Sequence, residues 1–344
     1  MYKHGHCLNC PRFKAPIGSL LPDKVQSLPA WESTQPTRPI EDILSERIAK
    51  MNVSEIKPME MEAEELIARY AAGERDFREV KLVAANLTNC NLKGANLRRA
   101  NLHQANLQGA ILEGVNLREA VLTEANLEFA KMHLANFIGA DLTDANLTGA
   151  DLTDAGMRSS NLLRTQLKQA NLREANLNEA NLNSANLREA DLSEVSLSRA
   201  KMLSADFSAA ILDGANLTSA LLNGAILDGA SMIGAILSGA SLEGADLRGV
   251  DLNRARVKGA NLVNTNLSQA NLRSANLSWS SFRGANLRGV TLYRAKLSWS
   301  NLSGAILTDA VMINANIEYT NLKNADLTGA ILPDGLIQKN NAQY

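Results

Sequence analysis

A five-residue period runs from residue 77 to residue 332 without insertion or deletion, and it constrains every fold that the chain can adopt. The positions whose numbers end in 2 or 7 form 52 consecutive apolar sites, of which 41 are Leu. Two residues before each apolar site stands a small residue, which is Ala at 39 of the 51 sites from Val80 to Ala330. An α-helix repeats near 3.6 residues and a flat strand repeats about every 2, so this period requires a chain that turns once in every unit.

Glycine indicates where each unit turns. Of the 22 Gly residues in the chain, 17 stand two residues after the central apolar residue. Glycine suits tight turns that need a positive φ, and the Asn or Asp that usually precedes the apolar residue suits turns as well. We therefore expect a coil of very short strands joined by tight turns, with Leu and Ala inside and the other three residues outside. Because one unit cannot bury its Leu alone, stability must come from stacking neighbouring units.

The repeated unit resembles that of the pentapeptide-repeat proteins, which is written A(D/N)LXX. It is present in Ala95–Leu97, in residues 145–149 and in residues 245–249, and the register holds throughout residues 77–332. The resemblance implies an all-β fold, a right-handed quadrilateral β-helix with four units in each coil. With 52 units, such a helix has about 13 coils and a length on the order of 60 Å. Members of the family have very different roles, so the fold alone does not give the function.

The segments outside the repeat predict a short helical lead-in and two ends. Residues 1–39 hold six of the eight Pro residues and are expected to form a disordered tail. Residues 40–74 predict a helical lead-in that covers the open N-terminal end of the β-helix, which spans residues 75–332. Residues 333–344 begin with Pro-Asp-Gly and predict a C-terminal cap or tail, with Leu336 and Ile337 folding over the last coil.

Two helical patterns make up the lead-in. The first opens at Pro39 and places Ile40, Ile43 and Leu44 on one side. The second runs from Pro58 to about residue 72 and is expected to face the column with four residues at helical spacing. These four are Ala63, Leu66, Ile67 and Tyr70.

Composition and motif content argue against catalysis. The chain has no phosphate-binding loop of the G-x-x-x-x-G-K-[ST] type, and neither His103 nor His133 has a Cys or Ser partner in a nucleophile pattern. A β-helix this narrow has no interior room for a substrate. We therefore expect no enzymatic activity, no cofactor and no small-molecule substrate. Without a secretory signal or an apolar stretch long enough to span a membrane, a cytoplasmic location is expected.

The N-terminal tail contains the only metal-ligand pattern. His4, His6, Cys7 and Cys10 are all possible zinc ligands, and the Cys7-x-x-Cys10 spacing is typical of zinc sites. Structural zinc sites use a second pair of ligands from a separate segment, and the sequence has none. We therefore predict no metal site, with a site shared across a dimer as the alternative.

An aromatic row is the first feature of the predicted outer surface. Trp279, Trp299 and Tyr319 are twenty residues apart, which is one coil for four units per coil. Each occupies the turn site where Gly is the commonest residue. Two interpretations remain open: a ladder of rings that stiffens the C-terminal coils, or a docking strip, since Trp and Tyr are common binding anchors.

Charge is segregated along the repeat. Residues 109–157 carry eight acidic and two basic residues, a net charge of −6, whereas residues 247–300 carry nine basic residues and one acidic residue, a net charge of +8. Basic residues beside aromatic rings suit an anionic partner. The predicted partner surface thus adds five cations to the aromatic row: Arg273, Arg283, Arg288, Arg294 and Lys296.

An apolar stretch, residues 209–242, has only two charged residues. Four of its apolar residues replace the usual Asn or Asp, and a fifth lies at an outward site. The four that replace Asn or Asp are Ile211, Leu221, Ile226 and Ile236, and the outward residue is Ile233. Because they fall on different sides of the coil, they predict a band around the rod, which is either a contact region or simple tolerance of Ile in a β-rich site.

Three functions fit these patterns to different degrees. The favoured one is a scaffold or adaptor that binds another protein along a rigid rod. The second is DNA mimicry, because the resemblance implies that some relatives occupy the DNA site of type II topoisomerases. Such mimicry requires a negatively charged rod, whereas residues 74–344 hold 26 basic and 26 acidic residues and have no net charge. The third is direct nucleic-acid binding by the basic C-terminal coils. The sequence does not indicate an oligomeric state.

Overall fold

The computed structural model describes residues 60–338. The predicted tail 1–39, the helix expected to open at Pro39, the four metal-ligand candidates and the last six residues of the C-terminal segment lie outside the described residues. The domain boundaries predicted for those parts remain predictions.

Successive coils pair in parallel with a register of twenty residues. Isolated parallel bridges link each residue that precedes a central apolar residue to its equivalent one coil later, from Asp76↔Asn96 to Val311↔Ile331. Four five-residue units therefore make one turn of the column, and each strand is a single bridged residue. The four sides of the column are the four series of bridges, and two outward turn residues form each corner between them.

Every corner has the same backbone geometry. The second residue after the central apolar residue has a positive φ in each unit from Glu79 to Gly329, close to +60° at Glu79 and +74° at Gly329. The N–H that follows it donates to the carbonyl of the apolar residue, as in Ala120 to Leu117 at 3.1 Å. This pattern is that of a type II β-turn, which favours Gly at its third position. Many of these corners nevertheless carry a side chain, which is held in a left-handed conformation.

The unit 116–120 shows how all five backbone N–H groups are used. The N–H groups of Asn116, Leu117 and Glu119 donate to carbonyls of adjacent coils at 2.7–3.0 Å, and that of Ala120 closes the turn. The remaining N–H, on Arg118, donates to the Asn116 side-chain Oδ1 at 3.2 Å. Asn and Asp therefore precede the central Leu because their side chains satisfy the donor that the backbone leaves unpaired.

The interior is a continuous apolar column. The central Leu residues and the small residues before them are almost all buried, as are the larger rings of Phe137, Phe207 and Phe282. They form one hydrophobic cluster that also contains residues of the N-terminal helix. The prediction that Leu and Ala point inward is therefore correct, and the functional groups must lie on the exterior.

Helix α1 (Ala63–Ala71) precedes the first coil. Glu60 pairs in parallel with Lys81, so the chain enters in the register of the coils before α1 begins. Leu66 is fully buried in the column, but Ile67 is 42% exposed, contrary to the prediction that it faces the column. The buried face is narrow because a nine-residue helix over the end of so thin a column contacts it along one row of side chains.

Helix α1 ends in a Schellman motif. Gly73 has a φ of +100°. The Glu74 N–H donates to the Arg69 carbonyl, and the Gly73 N–H donates to the Tyr70 carbonyl. This arrangement satisfies the last carbonyls of the helix and turns the chain into the first coil.

The C-terminal end is only partly covered. Ile337 forms an antiparallel bridge with Ile331, and the Leu332 N–H donates to the Leu336 carbonyl, so the backbone folds back on the last coil. The side chains of Leu336 and Ile337 are 65% and 61% exposed, however. Residues 336 and 337 thus fold over the last coil through their backbone while their side chains stay mostly exposed, and the C-terminal cap or tail over residues 333–344 stays a prediction.

Candidate interaction surface

One side of the column carries most of the unusual outward residues. The bridges Ile236↔Arg256, Arg256↔Asn276, Asn276↔Lys296 and Lys296↔Asn316 stack five successive rungs on this side. We define the basic–aromatic face as the cations and rings that these rungs and their two flanking corners expose. They are Arg254, Arg256, Lys258, Arg273, Trp279, Tyr293, Arg294, Lys296, Trp299 and Tyr319.

The three rings at one corner form a continuous stack. The centroids of Trp279 and Trp299 are 5.2 Å apart with the ring planes 6° from parallel, and those of Trp299 and Tyr319 are 4.4 Å apart at 17°. The rings remain more than half exposed at their edges, by 58%, 51% and 73% in chain order. The stack ends before Gly259, where an added Cβ would meet no atom within 4 Å. One face of Trp279 and the edges of all three rings are therefore available to a partner.

Two buried hydroxyls and one half-buried hydroxyl lie directly behind this stack. The residue after each ring occupies the small inward site, which is Ser280, Ser300 or Thr320 instead of the usual Ala. The Ser280 Oγ donates to the Val257 carbonyl at 2.5 Å, and the Ser300 Oγ and Thr320 Oγ1 donate to the Leu297 carbonyl at 2.6 and 2.8 Å. These hydrogen bonds fix the corner backbone from which the rings project.

A second group of rings and cations lies at the opposite corner of the same face. The Arg273 guanidinium lies 4.6 Å from the centroid of the Tyr293 ring, and that of Arg294 lies 5.1 Å from it. Both distances are typical of cation–π contacts. The half-buried Tyr293 thus contacts two guanidinium groups at once.

The cations of the basic–aromatic face have no carboxylate partners. Arg254, Arg256, Lys258, Arg294 and Lys296 are all exposed, and within residues 60–338 neither they nor Arg273 form an ion pair. The same side of the C-terminal rungs has one carboxylate, Glu318, which accepts a hydrogen bond from the Asn316 side chain at 3.5 Å. An unpaired patch of one sign produces a field that favours a partner of the opposite sign.

The N-terminal coils use the same corner in a different way. Where the C-terminal coils stack rings, these coils place Glu79, Arg99 and Glu119 one above another, with ion-pair distances of 3.6 and 2.7 Å. The hydrogen bonds from Arg99 and then Arg98 lower the pKa of Glu119 to about 2. The Glu79–Arg99–Glu119 series therefore pairs its charges within the molecule, whereas within residues 60–338 the cations of the basic–aromatic face form no ion pair.

The predicted partner surface is divided by the structure. Arg273, Arg294 and Lys296 share the basic–aromatic face with the ring stack, but Arg283 and Arg288 follow the next two bridged sides and project from other corners. The prediction grouped cations that are close along the chain. The twenty-residue register places some of them on different corners of the column. The same register would have added Arg254, Arg256, Lys258 and Tyr293, which the predicted surface lacked.

The predicted apolar band is dispersed around the column. Ile211, Leu221, Ile226 and Ile236 belong to four different series of bridges. Ile211, Leu221, Ile226 and Ile233 are 39–42% exposed, and Ile236 is half-buried.

The band lacks the side-chain acceptors that serve the turns elsewhere. Because Ile replaces Asn or Asp there, no acceptor within residues 60–338 serves the turn N–H of Ser238, the second residue after Ile236. Within the same residues, the backbone N–H groups two positions after Ile211, Leu221 and Ile226 also have no acceptor. Six successive corners in this region, from Gly224 to Gly249, carry no side chain at the positive-φ position.

The remaining polar groups serve the fold. Nδ1 of His103 lies 2.7 Å from the Thr123 Oγ1, and Nδ1 of His133 lies 3.1 Å from the Thr153 carbonyl, each one coil away. Burial raises the pKa of the Cys90 thiol to about 11. Residues 60–338 contain no group of three or more His, Cys, Asp or Glu side chains that could hold a metal ion. In the same range no helix has the length and apolar character needed to cross a membrane.

Family models match most of the repeat. The model described as pentapeptide repeats matches in eight copies, and the model described as pentapeptide repeat region matches residues 130–207. The eight copies lie in residues 76–114, 100–137, 210–249, 251–289 and 292–332. A comparison with curated proteins finds no significant match.

Several solved structures are similar to this chain. HetL, a pentapeptide repeat protein involved in heterocyst differentiation regulation from the cyanobacterium Nostoc sp. strain PCC 7120, is 32% identical over 81% of this chain and 100% of its own, with a TM-score of 0.25. Rfr23 from the cyanobacterium Cyanothece 51142 is 38% identical over 28% of this chain and 58% of its own, with a TM-score of 0.14. QnrB1, a plasmid-mediated fluoroquinolone resistance protein, is 17% identical over 73% of this chain and 94% of its own, with a TM-score of 0.19.

Proposed function

Because the chain belongs to the pentapeptide-repeat family, we propose that it is a non-enzymatic scaffold that binds another protein through the outside of its β-helix. Proteins of this family adopt a right-handed quadrilateral β-helix and are generally structural or interaction proteins. At four units per coil, the 52 units form about 13 coils. In this proposal the β-helix is a rigid support for the partner-binding surface. Helix α1 protects its N-terminal end, and the protein acts in the cytoplasm.

The basic–aromatic face is the observation that carries the proposal. Many outward cations elsewhere on the rod pair with carboxylates, as Lys93 pairs with Glu113 at 2.6 Å and Arg164 with Asp144 at 2.6 Å. Within residues 60–338 the exceptions include Lys131, Lys201, Arg283, Arg288 and Lys323, which are scattered over several corners and have no Trp beside them. The cations beside Trp279 and Trp299 have no such partners within residues 60–338. Trp, Tyr and Arg are the residue types most enriched at the energetic centres of protein interfaces.

DNA mimicry receives less support from the charges. A mimic of duplex DNA needs negative charge along its length, whereas residues 247–300 have a net charge of +8. Of the eight acidic residues in residues 109–157, three are paired with Lys or Arg, which reduces the negative charge that this segment presents; they are Glu113, Glu119 and Asp144. We therefore propose protein binding at the C-terminal coils over occupation of a topoisomerase.

Quantitative affinity purification tests this function with two matched double variants. The Trp279→Ser/Trp299→Ser variant removes rings that are 58% and 51% exposed, and the control, Phe129→Ser/Leu134→Ser, removes apolar side chains that are 58% and 59% exposed on other corners. We expect a specific protein to co-purify with the wild type and the control but to be depleted at least about tenfold with the Trp variant. Equal recovery with all three, at equal melting temperature, would contradict the proposed surface.

A further inference from the structure

We propose that the basic–aromatic face recognises an acidic, extended polypeptide segment, whose carboxylates bind the Arg254–Lys258 and Arg294–Lys296 rungs while its apolar side chains pack on the edges of the ring stack. This inference rests on the proposed function and specifies the chemistry of the partner. It follows from the kind of cations present, from their arrangement, and from the way in which the rings are stacked.

The cations suit carboxylates. Four of the six are Arg: Arg254, Arg256, Arg273 and Arg294. A guanidinium binds a carboxylate through two parallel N–H donors and loses less side-chain freedom for each hydrogen bond than Lys does. Those of Arg273 and Arg294 are already held against the Tyr293 ring. The orientation of the donors is therefore partly fixed before a partner binds, which lowers the entropic cost of binding.

The arrangement suits an extended chain that lies along the rod. Arg254, Arg256 and Lys258 project from one rung and Arg294 and Lys296 from the rung two coils later, with Asn276 between them on the same side. Neighbouring strands are about 4.8 Å apart, so these two cationic rungs are separated by roughly 10 Å. Acidic residues separated by two positions of an extended segment span about 7 Å, and those separated by three span about 10 Å. An extended acidic segment can therefore contact both rungs.

The rings favour a polypeptide over single-stranded nucleic acid. Nucleic-acid platforms present ring faces on which bases stack. Here Trp299 has both faces covered, by Trp279 at 5.2 Å and by Tyr319 at 4.4 Å, and these distances leave no room for another ring. What the stack offers is one face of Trp279, which is too little for a run of successive bases, and a ridge of ring edges with indole N–H groups that have no acceptor within residues 60–338. Apolar side chains and backbone carbonyls fit such a ridge.

Fluorescence anisotropy with two defined probes tests this inference on the full-length protein. One probe is a labelled acidic peptide of Glu and Asp interrupted by Phe, and the other is a labelled oligothymidylate of equal net charge. We expect the peptide to bind and the oligothymidylate to bind at least about tenfold more weakly at the same salt concentration. Peptide binding should also change the fluorescence of Trp279 and Trp299, because its apolar side chains contact their edges.

Two charge-reversal variants of equal net charge supply the control. Arg256→Glu/Lys296→Glu alters the basic–aromatic face, and Arg283→Glu/Arg288→Glu alters two other corners of the same coils. The first should weaken peptide binding at least about tenfold and the second no more than about twofold. Circular dichroism verifies that both variants keep the wild-type fold.

Three results would overturn the inference. Tighter binding of the oligothymidylate than of the peptide would assign the face to nucleic acid. Equal losses of peptide affinity in the two charge-reversal variants would show only a general effect of charge. Failure of the peptide to bind would reject an acidic partner. If a protein partner still requires Trp279 and Trp299 in the affinity purification while the peptide fails to bind, the scaffold function stands and only the chemistry assigned to the partner is wrong.

Discussion

Trp279 stacks on Trp299 with ring centroids 5.2 Å apart, and both residues have left-handed backbones, with φ values of +65° and +63°. A residue with a Cβ costs roughly 1–2 kcal/mol in this conformation relative to an ordinary one. A stacked aromatic pair contributes about 0.5–1.5 kcal/mol beyond the area that it buries. The cost of the left-handed backbone and the gain from ring stacking are of similar size. The stack therefore offsets a backbone strain that Gly at these positions would not have.

The first prediction separates the strain from the stacking. Trp279→Gly removes one ring contact and relieves one strained corner, so we expect the free energy of unfolding to change by less than about 1 kcal/mol. Trp299→Gly removes both contacts and should be about 1 kcal/mol less stable than Trp279→Gly. Ser274→Gly is the control, because Ser274 has a φ of +58° and no ring partner; it should be stabilising by about 1 kcal/mol. Urea denaturation measures all three. A large loss in Trp279→Gly alone would show that the stack is mainly structural.

The second prediction concerns the missing turn acceptor in the apolar band. Asn216 accepts the Thr218 N–H on its Oδ1 at 3.1 Å, but one coil later Ile236 leaves the Ser238 N–H without an acceptor among residues 60–338. Ile236→Asn should raise the free energy of unfolding by up to about 1 kcal/mol, reduced by the lost burial of a half-buried Ile. Asn216→Ile should lower it by a comparable amount. If Ile236→Asn melts below the wild type, burial of Ile outweighs the hydrogen bond.

The third prediction tests the protection of the N-terminal end by α1. Leu66 is fully buried and Ile67, its neighbour, is 42% exposed. Leu66→Ala should therefore cost about 2–5 kcal/mol and cause the first coils to exchange amide hydrogens faster. Ile67→Ala should change stability by less than about 1 kcal/mol. Hydrogen exchange at the amides of residues 77–97 is the measurement. Similar protection in the two variants would show that the helix is dispensable for the column.

The fourth prediction follows from the charge ladder of the N-terminal coils. Hydrogen bonds from Arg99 and Arg98 lower the pKa of Glu119 to about 2 from an ordinary value of 4.5. A carboxyl whose pKa is lower in the folded state stabilises the fold above its unfolded pKa. This stabilisation is therefore complete above pH 4.5 and is lost as the pH falls toward 2.

Melting curves across this range give the test. Glu119→Gln should make stability less dependent on pH between 4.5 and 2. Glu124→Gln is the comparison, because the Glu124 carboxylate accepts its hydrogen bond from the uncharged Gln104 side chain at 2.9 Å. An unchanged pH slope in Glu119→Gln would mean that solvent screens this exposed ladder almost completely.

The sequence predicted the interior better than the surface. The inward positions of Leu82 and Ala100 follow from an uninterrupted five-residue period, because one inserted or deleted residue would expose a Leu side chain to solvent. The preference for Asn and Asp was visible in the sequence as well, but its reason was not. Only the coordinates show that Asn116 Oδ1 accepts the Arg118 N–H, which no backbone carbonyl reaches.

The candidate partner surface was grouped by distance along the chain, so the sequence assembled only some members of the basic–aromatic face. Applying the twenty-residue register to Arg283 and Arg288 would have placed them on other corners, and it would have placed Arg256 on the side of Lys296. A count of charges in the sequence treats them all alike, although Arg99 forms ion pairs and Arg256 forms none within the described residues 60–338.

The sequence by itself determined that residues 77–332 form a column with a buried Leu–Ala interior and three outward residues in each unit, because hydrophobic burial at a fixed period leaves no other arrangement. Only the tertiary structure decided which outward groups cancel each other. Ion pairs and ring contacts depend on side-chain directions across neighbouring coils, such as those that bring Arg273 over Tyr293 at 4.6 Å, and a period in the sequence does not specify those directions.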